Sequence, residues 1–401
     1  MVKYKLSIIA TVVLLGIFLL GSCEKILPPS PEDNTLLDGP LEGLTGGQNS
    51  QFLKGDVAFN DEIFTTQTGL GPLFVATSCG SCHAGDGKGT PFTTLTRFGQ
   101  TDSTGNPFEH LGAPQLQHRA IAGFQPETLP NGVVSSKFTP PANTGLGFLE
   151  AVTDADILSM ADEKDADNDG ISGVPNWVKA PDYVSIRLNS AVKNGRYIGR
   201  FGKKASVYDL LQQTATAYNQ DMGITSDFEP IDTYSGLPID PEVSNQTIHN
   251  VVAYLQTLKA PIPRDTEEPE VIAGKQVFNQ IKCGACHRPE LKTGQSSIEA
   301  LSNKTFYPYT DLLLHDMGKG LDDGYTEGVA KTSEWRTPPL WGLGLSKDSQ
   351  GGRYFLLHDG RAKSIEEAIL LHGGEAEKSR NQYKALSSSD KQQLVNFLES
   401  L

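Results

Sequence analysis

The chain has 401 residues, 38% of them hydrophobic, and carries 48 Asp and Glu against 34 Lys and Arg for a formal net charge of -14. That acidity argues against a nucleic acid held through its phosphates and favours a basic soluble partner. The length provides for two domains, and 41 glycines with 24 prolines imply abundant loop, as where side chains pack on a large cofactor.

At the start, Lys3 and Lys5 precede an apolar run from Leu6 to Leu20, short for a transmembrane helix, and then Leu20-Gly21-Ser22-Cys23. Small residues just before a Cys resemble a bacterial lipoprotein cleavage box. Residues 1–22 are then a signal peptide, and Cys23 becomes the lipidated first residue of an envelope protein, facing the periplasm or on the cell surface. The membrane is reached through this lipid anchor only, and more than one acyl chain makes such anchoring stable. Residues 23–50, with Pro28, Pro29 and Pro31, read as a tether. Losing Lys3 and Lys5 with the leader takes the charge two units lower, to -16.

The pattern Cys-x-x-Cys-His occurs twice, as Cys79-Gly80-Ser81-Cys82-His83 and Cys283-Gly284-Ala285-Cys286-His287, and uses four of the five cysteines. Two thiols three apart reach both vinyl groups of one haem, and the adjacent imidazole reaches its iron. A zinc site would need both Cys pairs on one metal and would leave His83 and His287 idle. The motifs therefore predict two covalent haems c, attached through Cys79, Cys82, Cys283 and Cys286, with His83 and His287 as axial iron ligands. Covalent attachment of haem takes place outside the bacterial cytoplasm, in agreement with the leader.

The chain reads as a divergent tandem repeat, mainly α. An N-terminal haem domain spans 51–259 with a loop-rich insertion at about 110–200, a Pro- and Glu-rich linker spans 260–270, and a C-terminal haem domain spans 271–401. An aromatic residue stands five positions before each first cysteine, Phe74 and Phe278, the latter in Gly274-x-x-x-Phe278; this looks like the first helix of a small cytochrome c. Each half ends in one apolar frame, Tyr254-Leu255-x-x-Leu258 and Phe397-Leu398-x-x-Leu401, with Ser387 to Asp390 as cap of the last helix. Within the insertion, Asp165-x-Asp167-x-Asp169-Gly170 matches the first half of a calcium loop, but Asn176 stands at the twelfth position, so a calcium site and a plain acidic turn are both open.

A second repeat aligns Gly202 to Leu211 with Gly360 to Ile369 at a constant offset of 158, which sets His372 opposite Thr214. His can close a haem iron as sixth ligand and Thr cannot. The expectation is a closed second haem and an open first one, where a small molecule such as hydrogen peroxide binds.

The stretches Gly69-Leu70-Gly71-Pro72-Leu73-Phe74, Gly199-Arg200-Phe201-Gly202, Asn219-Gln220-Asp221-Met222-Gly223, Asp311 to Gly318, Trp335-Arg336-Thr337-Pro338-Pro339-Leu340 and His358-Asp359-Gly360-Arg361 resemble the bacterial di-haem oxidoreductase family. That family carries a peroxidase label, sometimes a thiol oxidoreductase one, and is a branch of the di-haem cytochrome c peroxidase group. The resemblance runs from about Gly55 to the C-terminus. It implies two cytochrome c domains with haems facing a shared interface. The N-terminal haem would reduce hydrogen peroxide, and the C-terminal haem would relay electrons from a small donor cytochrome or similar redox carrier.

Carried over residue by residue, the resemblance sharpens the site. The peroxidases place an axial Met fourteen residues after the His of His-Asp-Gly, and from His358 that spacing lands on His372, with Met317 as rival ligand. His358 then lies behind the ligands. Asp221 occupies the place of the peroxidases' catalytic Glu; a capping or solvated carboxylate is the plainer reading, and Glu150, amid Phe148, Leu149, Ala151 and Val152, is the alternative acid. His110 and His118 read as surface residues. Lys203 stands where the family has a Trp, which leaves Trp335 or Trp341 as routes between the haems. Arg353 and Phe355 replace the residues that hold the peroxidases' interdomain calcium, so that site is not transferred. The alternative function is a di-haem electron-transfer cytochrome with no substrate chemistry; a thiol-disulfide enzyme would need free dithiols.

Overall fold

The computed structural model describes residues 31–401. The expected signal peptide, Cys23 and the first part of the tether lie outside the described residues. By contacts the chain divides at Leu36, and residues 37–401 form one compact unit. A short turn at Asp33–Thr35 belongs to the first unit. The part of the tether from residue 37 onward is folded: Leu41 N–H donates to the Thr257 carbonyl at 2.7 Å, and a helix starts at Gly46.

Ten α-helices are present among the described residues: α1 (Gly46–Asp56), α2 (Leu146–Glu150), α3 (Asp154–Met160), α4 (Leu210–Met222), α5 (Asn245–Thr257), α6 (Pro269–Gln280), α7 (Ser346–Ser349), α8 (Ile365–Leu371), α9 (Glu377–Ala385) and α10 (Ser388–Ser400). The longer ones begin where side chains can satisfy the first free N–H groups. Thr45 and Gln48 form a reciprocal capping box on α1, Ser244 caps α5, Pro269 opens α6, and Ser387 accepts from Asp390 N–H at 3.1 Å to cap α10.

Two helix crossings carry the architecture: α1 against α5, and α6 against α10. Each is made at a glycine that no other residue could replace without moving backbone. A Cβ on Gly55 would lie 2.1 Å from the Asn250 carbonyl oxygen, and one on Gly274 would lie 1.9 Å from that of Gln393. Next to these glycines stand Tyr254 and Phe397, the first residues of the two apolar frames. The first half therefore repeats Gly274-x-x-x-Phe278 as Gly55-x-x-x-Phe59, and Phe59 packs 5.6 Å from Tyr254 as Phe278 packs 5.4 Å from Phe397.

This corrects the expected equivalence of Phe74 with Phe278. Phe74 lies in β1 (Leu73–Phe74), paired with Arg119 of β3 (Arg119–Ala120). Extra chain between Phe59 and Cys79 displaces the first motif from its helix, so counting back five residues lands in β1.

The structure adds a repeat. Gly145-Leu146-Gly147 and Gly342-Leu343-Gly344 each bring a glycine against the closing helix of their half, with a Cβ 1.9 Å from the carbonyl oxygen of Gln256 or Glu399. Buried apolar side chains gather in two large cores. One joins Phe52, Phe59, Leu149, Tyr218, Met222 and Tyr254; the other joins Phe278, Tyr309, Leu343, Ile365, Phe397 and Leu398. Burying a side chain such as Phe278 contributes about 1.5–3 kcal/mol.

Among the described residues, sheet is limited to five two-stranded pairs. Two matter for the site: β2 (Leu95–Phe98) with β4 (Ser135–Phe138), and β5 (Leu314–Asp316) with β6 (Glu334–Arg336). Among the described residues no helix is long and apolar enough to cross a membrane.

Candidate functional site

Both Cys-x-x-Cys-His motifs open onto one continuous cavity of about 440 Å³. In each, the His N–H donates to the first Cys carbonyl at 3.0 Å, a turn that turns the two thiols and the imidazole to one side. All four thiols are free. Burial pushes Cys79 and Cys283 up to about 12 and Cys82 to about 11, so none is a thiolate nucleophile at neutral pH.

Three imidazoles on the cavity wall share one hydrogen-bonding pattern. Nδ1 of His83 meets the Pro141 carbonyl at 2.9 Å, that of His287 the Tyr309 carbonyl at 3.1 Å, and that of His372 the Ala368 carbonyl at 2.7 Å. A carbonyl only accepts, so each Nδ1 carries the proton and each Nε2 keeps a lone pair. Pro141 and Tyr309 hold matching places in Phe138-Thr139-Pro140-Pro141 and Phe306-Tyr307-Pro308-Tyr309, 168 residues apart. Burial lowers His83 and His287 to about 4 and lowers His372 too, which keeps all three neutral, as metal ligands must be.

The rival ligands differ. Met317 lines the cavity, packed against Phe138, Leu321, Tyr325 and Trp335. His315 is pinned between Asp311, 2.9 Å from Nε2, and Glu375, 2.7 Å from Nδ1. With both nitrogens donating to carboxylates it is an imidazolium, raised well above its ordinary value, and has no lone pair for iron.

His372 ends α8, and α4 is its counterpart. Ser364 and Asp209 cap these helices from the same position. The cavity faces are Ile365, Ala368, Ile369 and His372 on α8, and Leu210, Gln213, Thr214 and Ala217 on α4. The structural offset is therefore 155, not 158, and the residue opposite His372 is Ala217 rather than Thr214. The loop from Gly202 to the Asp209 cap is three residues longer than that from Gly360 to the Ser364 cap, which is where the register slips.

One turn beyond Ala217, Asp221 lines the same cavity, and burial raises its carboxyl. Its Oδ1 accepts from Gln115 Nε2 at 2.6 Å. Gln115 Oε1 in turn accepts from Arg97 Nη1 at 3.2 Å, and Arg97 also donates to Gln220 Oε1 at 2.7 Å and to Glu327 Oε1 at 3.1 Å. Tyr325 and Ser206 donate to Glu327 at 3.0 and 2.6 Å. Arg97 and Gln115 were not legible in the sequence: Arg97 and Glu327 are 230 positions apart, and no local spacing marks either.

Glu150 is not with them. Its Oε1 accepts from the first N–H of α4 at 2.8 Å and its Oε2 from Gln256 Nε2 at 2.6 Å, so it joins α2, α4 and α5 and does not line the cavity. In the acidic loop Asp165 and Asp167 join Asp162 within 4.8 Å, while Asp169 stands outside. Backbone N–H groups engage these carboxylates, with Gly170 donating to Asp165 and Asp169 to Asp167, both at 3.1 Å. His110 and His118 are exposed. His358 donates through Nε2 to the Asp323 carboxylate at 2.7 Å and stacks on Trp335 at 3.7 Å, with Lys204 over the Trp335 ring 3.8 Å away. Trp335 and Trp341 both line the cavity.

The residues fit a large, carboxylate-bearing cofactor. Asn143 Nδ2, Thr144 Oγ1, Thr214 Oγ1 and Tyr218 OH, on residues that line the cavity, are buried without a partner. Lys88, Lys203 and Arg336 line it too, and burial lowers them to about 8, 7 and 10. Desolvated cations and orphan donors of this kind need anionic acceptors.

The sequence profile of the family described as "di-haem oxidoreductase, putative peroxidase" matches residues 136–401, a span that holds the second motif and begins after the first. No curated protein sequence matches the chain. Two solved structures are similar over 94% of this chain and 95% of their own: a xenon-pressurised hydrazine synthase of Kuenenia stuttgartiensis, 13% identical with a TM-score of 0.40, and a MauG-like protein associated with microbial copper homeostasis, 12% identical with a TM-score of 0.41. With the family match covering about two-thirds of its length, the chain belongs to the di-haem oxidoreductase family.

Proposed function

We propose that this chain is a lipid-anchored di-haem c oxidoreductase of the bacterial envelope that reduces hydrogen peroxide at its first haem and relays electrons through its second. The two cores are read as two cytochrome c-like halves. Cys79, Cys82, Cys283 and Cys286 bind the haems covalently, His83 and His287 ligate them, and His372 closes the second iron. Bound haem supplies a one-electron couple and an iron site for a small ligand. The thiols, raised by burial, oppose a dithiol enzyme.

One observation carries the reading: α8 presents His372 with Nε2 free, and the same place on α4 is Ala217, followed by Asp221 one turn on. A methyl group cannot ligate iron, and a carboxyl one turn away can move protons. Asp221 takes a proton from one peroxide oxygen and returns it to the other as the O–O bond breaks. Two electrons from the donor and two protons complete two waters. Gln115 holds Asp221 in orientation through Oδ1 and leaves Oδ2 for this exchange.

Absorption and electron spin resonance spectra of the purified protein, oxidised and reduced, test the assignment. A high-spin haem that binds cyanide or carbon monoxide supports it. Two low-spin haems inert to both make the chain an electron-transfer cytochrome; Met222, on the α4 wall, would then be the first residue to examine. Haem that stays with the protein through acid-acetone extraction supports covalent attachment. Release of the protein from membranes by Cys23→Ser tests the anchor.

A further inference from the structure

Arg97 points its side chain to the same side of β2 as Leu95, two residues before it, and both line the cavity. The side chain is only 15% exposed and pairs with Glu327, yet not all of its donors are used. Nε is held by Glu327 at 3.1 Å, and Nη1 by Gln220 at 2.7 Å and Gln115 at 3.2 Å. These three bonds fix the planar fork. Among the described residues Nη2 has no hydrogen-bond partner, and it is not one of the atoms sealed from solvent. Asp221 is similar: Gln115 holds one oxygen, and Oδ2 has no partner among the described residues. One glutamine thus fastens a cation of β2 and a carboxyl of α4 side by side, each with one edge left to the cavity.

We propose that Arg97 is a second catalytic residue of the first-haem site, donating through Nη2 to an anionic oxygen or anionic ligand held there. This rests on the reading of that haem as open. The substrate class it selects is a small hydroperoxide, whose outer oxygen gains negative charge as the O–O bond breaks. That oxygen leaves with the bond pair and takes the proton carried by Asp221. The electrons come, one at a time, from a reduced redox protein. A fixed guanidinium stabilises such charge without reorganising, because Glu327, Gln220 and Gln115 already hold it.

Ligand binding to the holoprotein separates this role from a structural one. Fluoride and cyanide are titrated against the oxidised protein and carbon monoxide against the reduced protein, for the native chain, Arg97→Leu and Arg97→Lys. Loss of a charge-assisted hydrogen bond weakens fluoride about 10- to 100-fold in Arg97→Leu, partly restored in Arg97→Lys, while neutral carbon monoxide changes less than about threefold. Equal weakening of fluoride and carbon monoxide, or no change in either, overturns the inference. If the native protein binds none of them, the open-haem reading fails first and takes this one with it. Should Arg97→Leu fail to fold because Glu327 is left unpaired, the double variant Arg97→Leu with Glu327→Gln removes that charge and gives the same readout.

Discussion

His83, His287 and His372 each commit Nδ1–H to a backbone carbonyl, whereas His315 commits both ring protons to carboxylates. The first pattern leaves a lone pair on Nε2 and the second makes a fixed charge, so substitutions should separate them. We predict that His372→Ala turns one haem high-spin and leaves the other unchanged in the spin-resonance spectrum, while His315→Gln leaves both spectra as they were. The effect of His315 should appear in stability. Its proton is held well above the ordinary 6.5, so its contribution is complete below that pH and fades as pH rises through the folded-state value. Glu375, lowered to about 2 from 4.5, contributes above 4.5 and loses that contribution as pH falls toward 2. In the window between, His315→Gln should cost about 3–5 kcal/mol in denaturant melts, as expected for one partner removed from a buried pair, and the alkaline decline should flatten. At Asp221 the expectation is kinetic: Asp221→Asn lowers peroxide turnover about 10²- to 10⁴-fold while the haem spectra persist, and turnover unchanged would return Asp221 to the plain role of a helix-end acid.

At the scale of elements, the two crossings depend on glycine for a steric reason that can be measured inside one helix. Gly47 and Gly55 both belong to α1, but a Cβ at Gly47 meets nothing within 4 Å and one at Gly55 meets the backbone of α5. Gly47→Ala should therefore stabilise by about 0.5–1 kcal/mol, and Gly55→Ala should destabilise by about 1–3 kcal/mol or more, since the obstructing Asn250 carbonyl cannot rotate away. The sequence shows the Gly274-x-x-x-Phe278 helix, the Ser387 cap and both haem motifs because each acts within a turn or two of itself. It hid the equivalent Gly55-x-x-x-Phe59, since the loop before Cys79 broke the spacing on which the comparison relied. The same cause, a loop of unequal length, moved the counterpart of His372 from Thr214 to Ala217. Neither slip removed the asymmetry between the halves, because neither Thr nor Ala ligates haem iron. The wall of Arg97, Gln115 and Asp221 was hidden for another reason: its members come from β2, the loop after it and the end of α4, and only tertiary packing brings them together.

On the scale of the whole molecule, both motifs reach one cavity inside one compact unit, so what distinguishes a relay from an isolated reaction site is how a donor finds the surface. The chain carries a formal charge of -14, and removal of Lys3 and Lys5 with a signal peptide would make it more negative. Charge of one sign steers an oppositely charged partner over roughly a Debye length, about 30 Å at 0.01 M salt and about 10 Å at 0.1 M. A basic donor cytochrome should therefore reduce this protein quickly at low salt, with a second-order rate that falls about tenfold or more as salt rises across that range. An acidic donor of similar potential should start slowly and gain as salt screens the repulsion. Stopped-flow reduction of the oxidised holoprotein by the two donors, at matched driving force, measures both slopes. Opposite slopes place docking under the control of the net charge. Two flat lines would show instead that the donor meets a locally neutral patch, and that the acidity serves solubility rather than electron delivery.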